Sequence, residues 1–242
     1  PSLIFTARQK AKIKNEFTAV NKPSNEEYDY IYTAIFGNYD QFYEPMDHVL
    51  GKCKRFIVFT DQNIQSTNEK VSIVKIKAKN PKFTNRFFKM NSHLIFPPGA
   101  THIYIDGNVW IYSKPKFFLG EKNTDMAIHP HPDRSNVLDE IIHTYRVKKL
   151  KLSELHNLTS FIQKFSLNKH SLYEANILYR RETKIVRKIN EKWWKLFLRY
   201  PYRDQFLLHE AIKEHKVNIK IIPRTLSSTR TSPYSITVKH KA

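Results

Sequence analysis

A single cysteine, Cys53, stands in a chain of 242 residues. A lone thiol excludes an internal disulfide framework and a cysteine-rich zinc site, so Cys53 is expected to pack as a small hydrophobe. Glycine is scarce, with five in all. No G-x-G-x-x-G or P-loop pattern is present, which removes the usual glycine-rich phosphate cradles. No apolar run is long enough to span a bilayer, and residues 1–14 lack the apolar centre of a secretory signal. Acidic residues are also few: 22 Asp and Glu stand against 41 Lys and Arg, a formal charge of +19. That excess implies an anionic partner such as nucleic acid, acidic lipid headgroups or nucleotide diphosphates, or else a solvated lysine-rich surface. Basic clusters at 10–14, 75–82, 146–151 and 180–195 spread the charge through the chain, against a detachable basic tail.

What is present is a core. Hydrophobic residues make up 40% of the chain and aromatics 13%, enough for one large domain. Residues 1–27 have no sustained periodicity and read as an N-terminal extension. The domain is expected over 28–223, followed by a basic C-terminal tail over 224–242. Short apolar strands are predicted at Tyr30 to Phe36, Arg55 to Thr60 and Val71 to Ile76, each ending in a polar loop as strands of a parallel sheet do. Phe83, Phe87, Met90 and Leu94 recur at helical spacing and predict a core-facing helix over Lys82 to Phe96. Asn85, Arg86, Lys89 and His93 fall off that face, so Arg86 and Lys89, one turn apart, could reach a common anion. Pro97, Pro98 and Gly99 then break the helix.

Next comes T-H-I-Y-I-D-G-N, Thr101 to Asn108. A β-branched and aromatic strand ends abruptly on a carboxylate, a glycine and an amide, at the edge where open α/β sheets bind ligands. Asp106 and Asn108 could hold a divalent cation against phosphate oxygens, with Gly107 letting a ligand approach the backbone. The same tripeptide also suits a plain tight turn. The second half is more helical. A loop or lid is expected at Lys114 to Asn123 and a strand at Thr124 to Ile128. H-P-H-P-D-R follows, where His129 and His131 resemble metal ligands, but the intervening prolines hold the segment extended. Ser135 is placed to cap a helix carrying Val137, Leu138, Ile141, Ile142 and Tyr145. Leu152, Leu155, Leu158, Ile162 and Phe165 mark another helix. Glu174 precedes an apolar strand, and Ile185, Ile189, Trp193, Leu196 and Tyr200 form a long amphipathic helix. Asp204 opens the next helix, and Val217 to Ile222 is a last strand.

Taken together, Y-T-A-I-F-G-N-Y-D, N-R-F-F-K, Y-I-D-G-N, H-P-x-R, L-Y-E-A-N with a following arginine, W-W and R-D-Q occur in that order between about Tyr32 and His215. This series resembles the glycosyltransferase-like family, long catalogued as a domain of unknown function, that includes plant turgor-regulation-defect and mucilage-related proteins. The resemblance implies a single α/β domain of GT-A type, an αβα sandwich on a mixed, mainly parallel sheet with a helical second half. It places a nucleotide-sugar among Phe36, Gly37, Asn38, Tyr39, Asp40, Asp61, Arg86, Lys89, Asp106, Gly107 and Asn108. Asp106 and Asn108 take the position of the Asp-x-Asp motif that holds Mn or Mg on the donor diphosphate. Here an amide replaces the second carboxylate, which weakens the cation site. His240 has no flanking motif to support it as a further ligand.

The implied activity is transfer of a sugar from a UDP- or GDP-sugar to a glycan or lipid-linked acceptor in surface polysaccharide synthesis. Glu174 and Asp204 are the carboxylates best placed for catalysis. His129, His131, Arg134, Arg203 and Gln205 are candidates for acceptor or donor-sugar contacts. R-D-Q is similar to the D-Q segment of some retaining enzymes, which tilts the stereochemistry that way. Three other readings stand beside this one: a hydrolase using Glu174 and Asp204, a silent sugar-nucleotide binder, and a nucleic-acid module. The last expects aromatics interleaved with basic patches, whereas here most aromatics fall in core stripes. Location is expected to be cytoplasmic and peripheral to an anionic membrane surface, given the basic charge and the single cysteine. A secretory-pathway lumen is the alternative if an anchor precedes Pro1.

Overall fold

The computed structural model describes residues 28–113, 123–165, 171–200, 203–222, 232 and 234–240. The expected lid over Lys114 to Asn123 falls almost wholly outside them, as does the N-terminal extension. Among the described residues, no helix is long and apolar enough to cross a membrane.

The chain builds a seven-stranded sheet in the order β3-β2-β1-β4-β7-β6-β8. Its strands are β1 (Tyr28–Ile35), β2 (Cys53–Thr60), β3 (Val71–Lys75), β4 (Thr101–Ile105), β6 (Met126–Pro130), β7 (Tyr173–Arg181) and β8 (Ile219–Ile221). The first four are parallel neighbours, with Tyr32 beside Ile57 on one side and Tyr104 on the other. β7 runs antiparallel to both β4 and β6, so it alone opposes the direction of the rest. This is the mixed, mainly parallel α/β sheet expected from the sequence.

Side-chain alternation along the strands divides the core into two layers. Tyr30, Tyr32, Ala34, Ile57, Phe59 and Tyr104 face one side, where they pack against helices α2 (Pro81–Met90), α3 (Val137–Arg146), α4 (Leu152–Lys164), α5 (Lys184–Arg199) and α6 (Asp204–Ile212). Ile31, Ile35, Phe56, Val58, Ile103 and Ile105 face the other, under the short helix α1 (Asp47–Leu50) and a two-stranded antiparallel sheet of β5 (Val109–Ile111) and β9 (Ser235–Thr237). Part of the expected tail therefore belongs to the fold. Tyr234, just before β9, is 1% exposed.

Several local expectations are corrected. The helix before β4 stops at Met90, and Ser92–Leu94 makes a separate 3₁₀ turn. Leu94, expected in the core, is 58% exposed for that reason. The cap of α3 is Asn136 rather than Ser135, since the Asn136 side chain accepts from the Asp139 N–H. The strand expected at Thr124 to Ile128 sits two residues later, and Glu174 lies within β7 rather than ahead of it.

Beneath the parallel strands, a buried polar network ties elements together. Arg180 donates through Nη1 to Asn190 Oδ1 at 3.0 Å and through Nη2 to the Tyr32 hydroxyl at 2.6 Å. Asn190 donates to Ser92 Oγ at 2.9 Å, Ser92 to Glu182, and His102 Nε2 meets Glu182 Oε1 at 2.7 Å. A network of this kind fixes α5 and the 3₁₀ turn after α2 against β4 and β7, because any slip would strand a buried polar group.

Candidate active site

The carboxyl ends of β1 and β4 open onto one cleft. β1 ends in a loop from Phe36 to Asp40, where Gly37 takes φ +67°, a left-handed turn that suits glycine. The Gly37 N–H is held by Asp61 Oδ1 at 2.9 Å. β4 ends at Asp106, followed by Gly107. A Cβ on Gly107 would stand 3.0 Å from Asp40 Cβ, Asp40 Oδ2 and Ile35 Cγ1. A larger residue there would press on the Asp40 and Ile35 side chains, which would have to yield by a few tenths of an ångström.

Two cavities meet here. One, of about 560 Å³, is lined by Phe36 to Asp40, Pro81, Lys82, Asn85, Arg86 and Asp106 to Asn108. The other, of about 380 Å³, extends from Arg86, Lys89, Asp106 and Asn108 past Glu174, Asp204 and Gln205 to His131, Arg134 and Arg203. Tyr39, Arg86, Asp106, Asn108 and His240 border both.

Four charges occupy the junction. Lys89 Nζ lies 3.1 Å from Asp106 Oδ1 and 2.5 Å from Asp204 Oδ2, and Arg86 Nε lies 3.0 Å from Asp204 Oδ1. The Tyr104 hydroxyl donates to Asp106 Oδ1 at 2.8 Å, and the Lys89 ammonium also stands 5.2 Å from the centre of the Tyr104 ring. Burial alone would raise the Asp204 carboxyl, but the Arg86 guanidinium and Lys89 ammonium beside it hold it well below the usual carboxylate range. Arg86 in turn is held cationic: burial would lower it, and Asp204 and Asp106 more than offset that. Arg86 and Lys89, expected to be able to reach a common anion, do so at the Asp204 carboxylate. Lys89 is 2% exposed, because the two acids on β4 and α6 that neutralise it come from distant parts of the chain.

His240 arrives from the last described segment. Its Nδ1 lies 2.6 Å from Asp40 Oδ1, and its ring centre 4.2 Å from that of Tyr39. Val238 donates to the Asn108 carbonyl at 2.8 Å, and the Asn108 side-chain amide donates to the Val238 carbonyl at 3.2 Å. Burial, with Asp106 nearby, raises the Asp40 carboxyl despite the His240 contact.

At the far end of the smaller cavity, Glu140 gathers two guanidiniums. Arg134 Nε donates to its Oε2, and Arg203 Nη1 to its Oε1 at 3.0 Å. His131 Nδ1 accepts the backbone N–H groups of Asp133 and Arg134 at 3.2 and 3.1 Å.

The structure therefore brings most of the expected site residues together. Asp61 and His129 are the exceptions. Asp61 supports the Gly37 turn from an exposed position and lines neither cavity. His129 is fully buried in β6, its Nε2 against the Tyr234 hydroxyl, and burial lowers it to about 4. Glu140, His143, Lys149 and Tyr104 were missed. Glu140 had a readable signal, since it lies on the stripe of Val137, Ile141 and Thr144 that α3 turns inward. His240 had none, its place depending on the β5–β9 pairing.

With this geometry in view, the sequence profile of the TOD1/MUCI70 glycosyltransferase-like domain matches residues 25–206, most of the chain. The chain belongs to this family. The match covers every strand from β1 to β7, the first five helices and the start of α6; the rest of α6, β8, β9 and His240 lie beyond it. No curated protein matches the chain by sequence. Among solved structures, apo mouse xyloside xylosyltransferase 1 is similar over 82% of this chain and 86% of its own, with 9% identity and a TM-score of 0.44. The galactosyltransferase LgtC in complex with donor and acceptor sugar analogs is similar over 79% of this chain and 72% of its own, with 10% identity and a TM-score of 0.45. Likeness of that order says nothing about the chemistry of the site.

Proposed function

We propose that this glycosyltransferase-like domain moves a sugar from a nucleotide-diphosphate donor to a glycan or lipid-linked acceptor. The observation that carries the reading is the pair of cavities meeting at Asp106 and Arg86, at the carboxyl edge of the parallel strands. The larger, bounded by the Phe36 to Asp40 loop, suits a nucleoside and its phosphates. The smaller, with Glu174, Asp204 and Gln205, suits the sugar and the acceptor hydroxyl.

The charge balance at the junction has a chemical consequence. Arg86 and Lys89 are matched by Asp106 and Asp204, so a bound diphosphate brings negative charge that this quartet does not cancel. Lys82, on the wall of the nucleotide cavity, supplies some of the balance. A divalent cation would supply the rest. Among the described residues no three His, Cys, Asp or Glu side chains converge on one point. Asp106, 25% exposed at its side chain, and the Asn108 side-chain oxygen still fit an ion that takes its other ligands from phosphates and water, as Mg does. When bound, such an ion would stabilise the departing diphosphate.

The rest falls to the chain's own side chains. Arg86 offers its remaining N–H groups to the leaving phosphate, where charge develops. Asp204, held ionised by two cations, is a weak base and acts as a positioning residue that aims Arg86 and Lys89. Glu174, on β7 between Asp106 and His131, is the carboxylate left to face the sugar or the acceptor hydroxyl. Gln205 beside Asp204 keeps the lean towards retention of configuration, which the anomer of the product would decide.

Calorimetry tests the reading. UDP or GDP should bind more tightly than the matching nucleoside, and Mn²⁺ should tighten the diphosphate in the native chain but not in Asp106→Ala. Arg86→Ala should weaken the diphosphate by about tenfold or more and the nucleoside little, the order expected for a lost charge-assisted hydrogen bond. A chain that binds neither nucleotide, or an Arg86→Ala that weakens nucleoside and diphosphate equally, would overturn it.

A further inference from the structure

We infer that the outer end of the smaller cavity is an anion subsite, and that the acceptor carries a carboxylate or phosphate group there. This rests on the transfer reading above and adds a substrate class to it. Three permanent cations, Arg134, Lys149 and Arg203, line this end, together with His131 and His143. Glu140 is the carboxylate set among them. It is 2% exposed, and both its oxygens are engaged: Oε2 by Arg134 Nε, Oε1 by Arg203 Nη1 at 3.0 Å and by the Thr144 hydroxyl at 3.4 Å. Its negative charge therefore fixes two guanidiniums in place, and at 2% exposure it offers little to a ligand.

What this wall presents is donors. Arg203 keeps Nε and Nη2 beyond its Glu140 contact, with its side chain 40% exposed. Arg134 is held at Nε by Glu140, and its Nη2 stands 3.1 Å from His131 Nε2. His131 Nδ1 faces two backbone N–H groups and its Nε2 faces Arg134 Nη2, so the ring is engaged within the wall and steadies Arg134. Lys149 and His143, both exposed, complete the wall. A neutral sugar offers hydroxyls that donate as well as accept, and its donors would meet saturated groups here. An anion offers acceptors alone, and planar guanidiniums suit carboxylate and phosphate oxygens. Arg203 precedes Asp204 and helps hold its carboxyl low, so this end adjoins the quartet, and the arm with saturating nucleoside diphosphate tells the acceptor anion from the donor diphosphate.

The experiment is calorimetry on the full chain at physiological salt, with and without saturating nucleoside diphosphate, using glucuronate, glucose 6-phosphate and methyl glucoside as probes. At least one anionic sugar should bind about tenfold more tightly than methyl glucoside, the order of one charge-assisted hydrogen bond. Whichever of the two binds better identifies the source of the anion. Arg203→Gln and Lys149→Gln, at positions exposed enough to spare the fold, should remove the preference, while Lys188→Gln on the exposed face of α5 should keep it. Equal binding of neutral and anionic sugars, or an equal loss in Lys188→Gln, would overturn the subsite and mean that the general basic charge is all that acts. Anionic sugars that bind at Arg203 in a chain that takes no nucleotide would uphold the subsite while refuting the transfer reading.

Discussion

His129 shows how position outweighs residue type at the scale of one side chain. In the sequence it pairs with His131 as an apparent ligand, two residues apart in H-P-H-P. Residues two apart on a regular strand share a face, but β6 ends at Pro130, so His131 leaves the strand and reaches the cleft while His129 stays buried in it against Tyr234. Burial lowers it from the ordinary 6.5 to about 4. Between those values the unfolded chain binds a proton that the native chain refuses, so stability falls as pH drops through this window and is fully kept above about 6.5. The whole shift is worth about 3 kcal/mol at most. Urea midpoints should therefore fall between pH 7 and pH 4.5, and His129→Gln should fall distinctly less over the same range. Superimposable profiles would assign the acid sensitivity to other groups, such as the buried His102, which burial also lowers. Arg86 and Lys89 make the complementary case. Their spacing showed a shared face, but nothing local could show that Asp106 and Asp204 close over it.

Among the elements, α2 carries both cations of the junction, so its start sets their aim. Asn80 caps it, accepting the Phe83 N–H at 3.1 Å, and Pro81 occupies the first turn, where a missing N–H costs nothing. Asn80→Ala should lower stability by about 1 kcal/mol in urea unfolding. It should also weaken diphosphate binding beyond what that loss explains, since Arg86 and Lys89 lie on the next two turns. Unchanged affinity would mean that the packing of Phe87 and Phe88 alone holds the helix in place. This element was legible from a local signal, its 3.6-residue apolar stripe. So were the first four strands, which are apolar runs ending on polar tips. β5 and β9 were not. Each has three residues, too short for a period to show, and each is defined by a partner more than a hundred positions away. The inward turn of Asn136 rather than Ser135 was likewise beyond composition, both being good caps.

Over the whole molecule, the C-terminal segment closes the site from outside the region that the family profile matches. The Tyr112 hydroxyl donates to the Ser232 carbonyl at 2.5 Å, Tyr234 fills a buried place beside His129, β9 pairs with β5, Val238 exchanges hydrogen bonds with Asn108, and His240 meets Asp40. These contacts divide into two groups. Those from Ser232 to Thr237 bury apolar surface and complete a sheet, so they bear on stability. Full burial of a large apolar side chain such as Tyr234 is worth on the order of 2 kcal/mol before the strand pairing is counted. Val238 and His240 instead touch Asn108 and Asp40, which line the larger cavity, so under the proposed reading they bear on binding. Two truncations separate the roles. Removing residues 232–242 should lower the unfolding midpoint markedly and abolish nucleotide diphosphate binding. Removing only 239–242 takes away His240 while leaving β9, so the midpoint should change little and diphosphate affinity should fall by several-fold, about the share of one charged contact at a half-exposed position. If the short truncation binds UDP and GDP as the full chain does, His240 only packs on Tyr39. If the long one unfolds where the full chain does, the β5–β9 pair contributes nothing to holding the cleft shut.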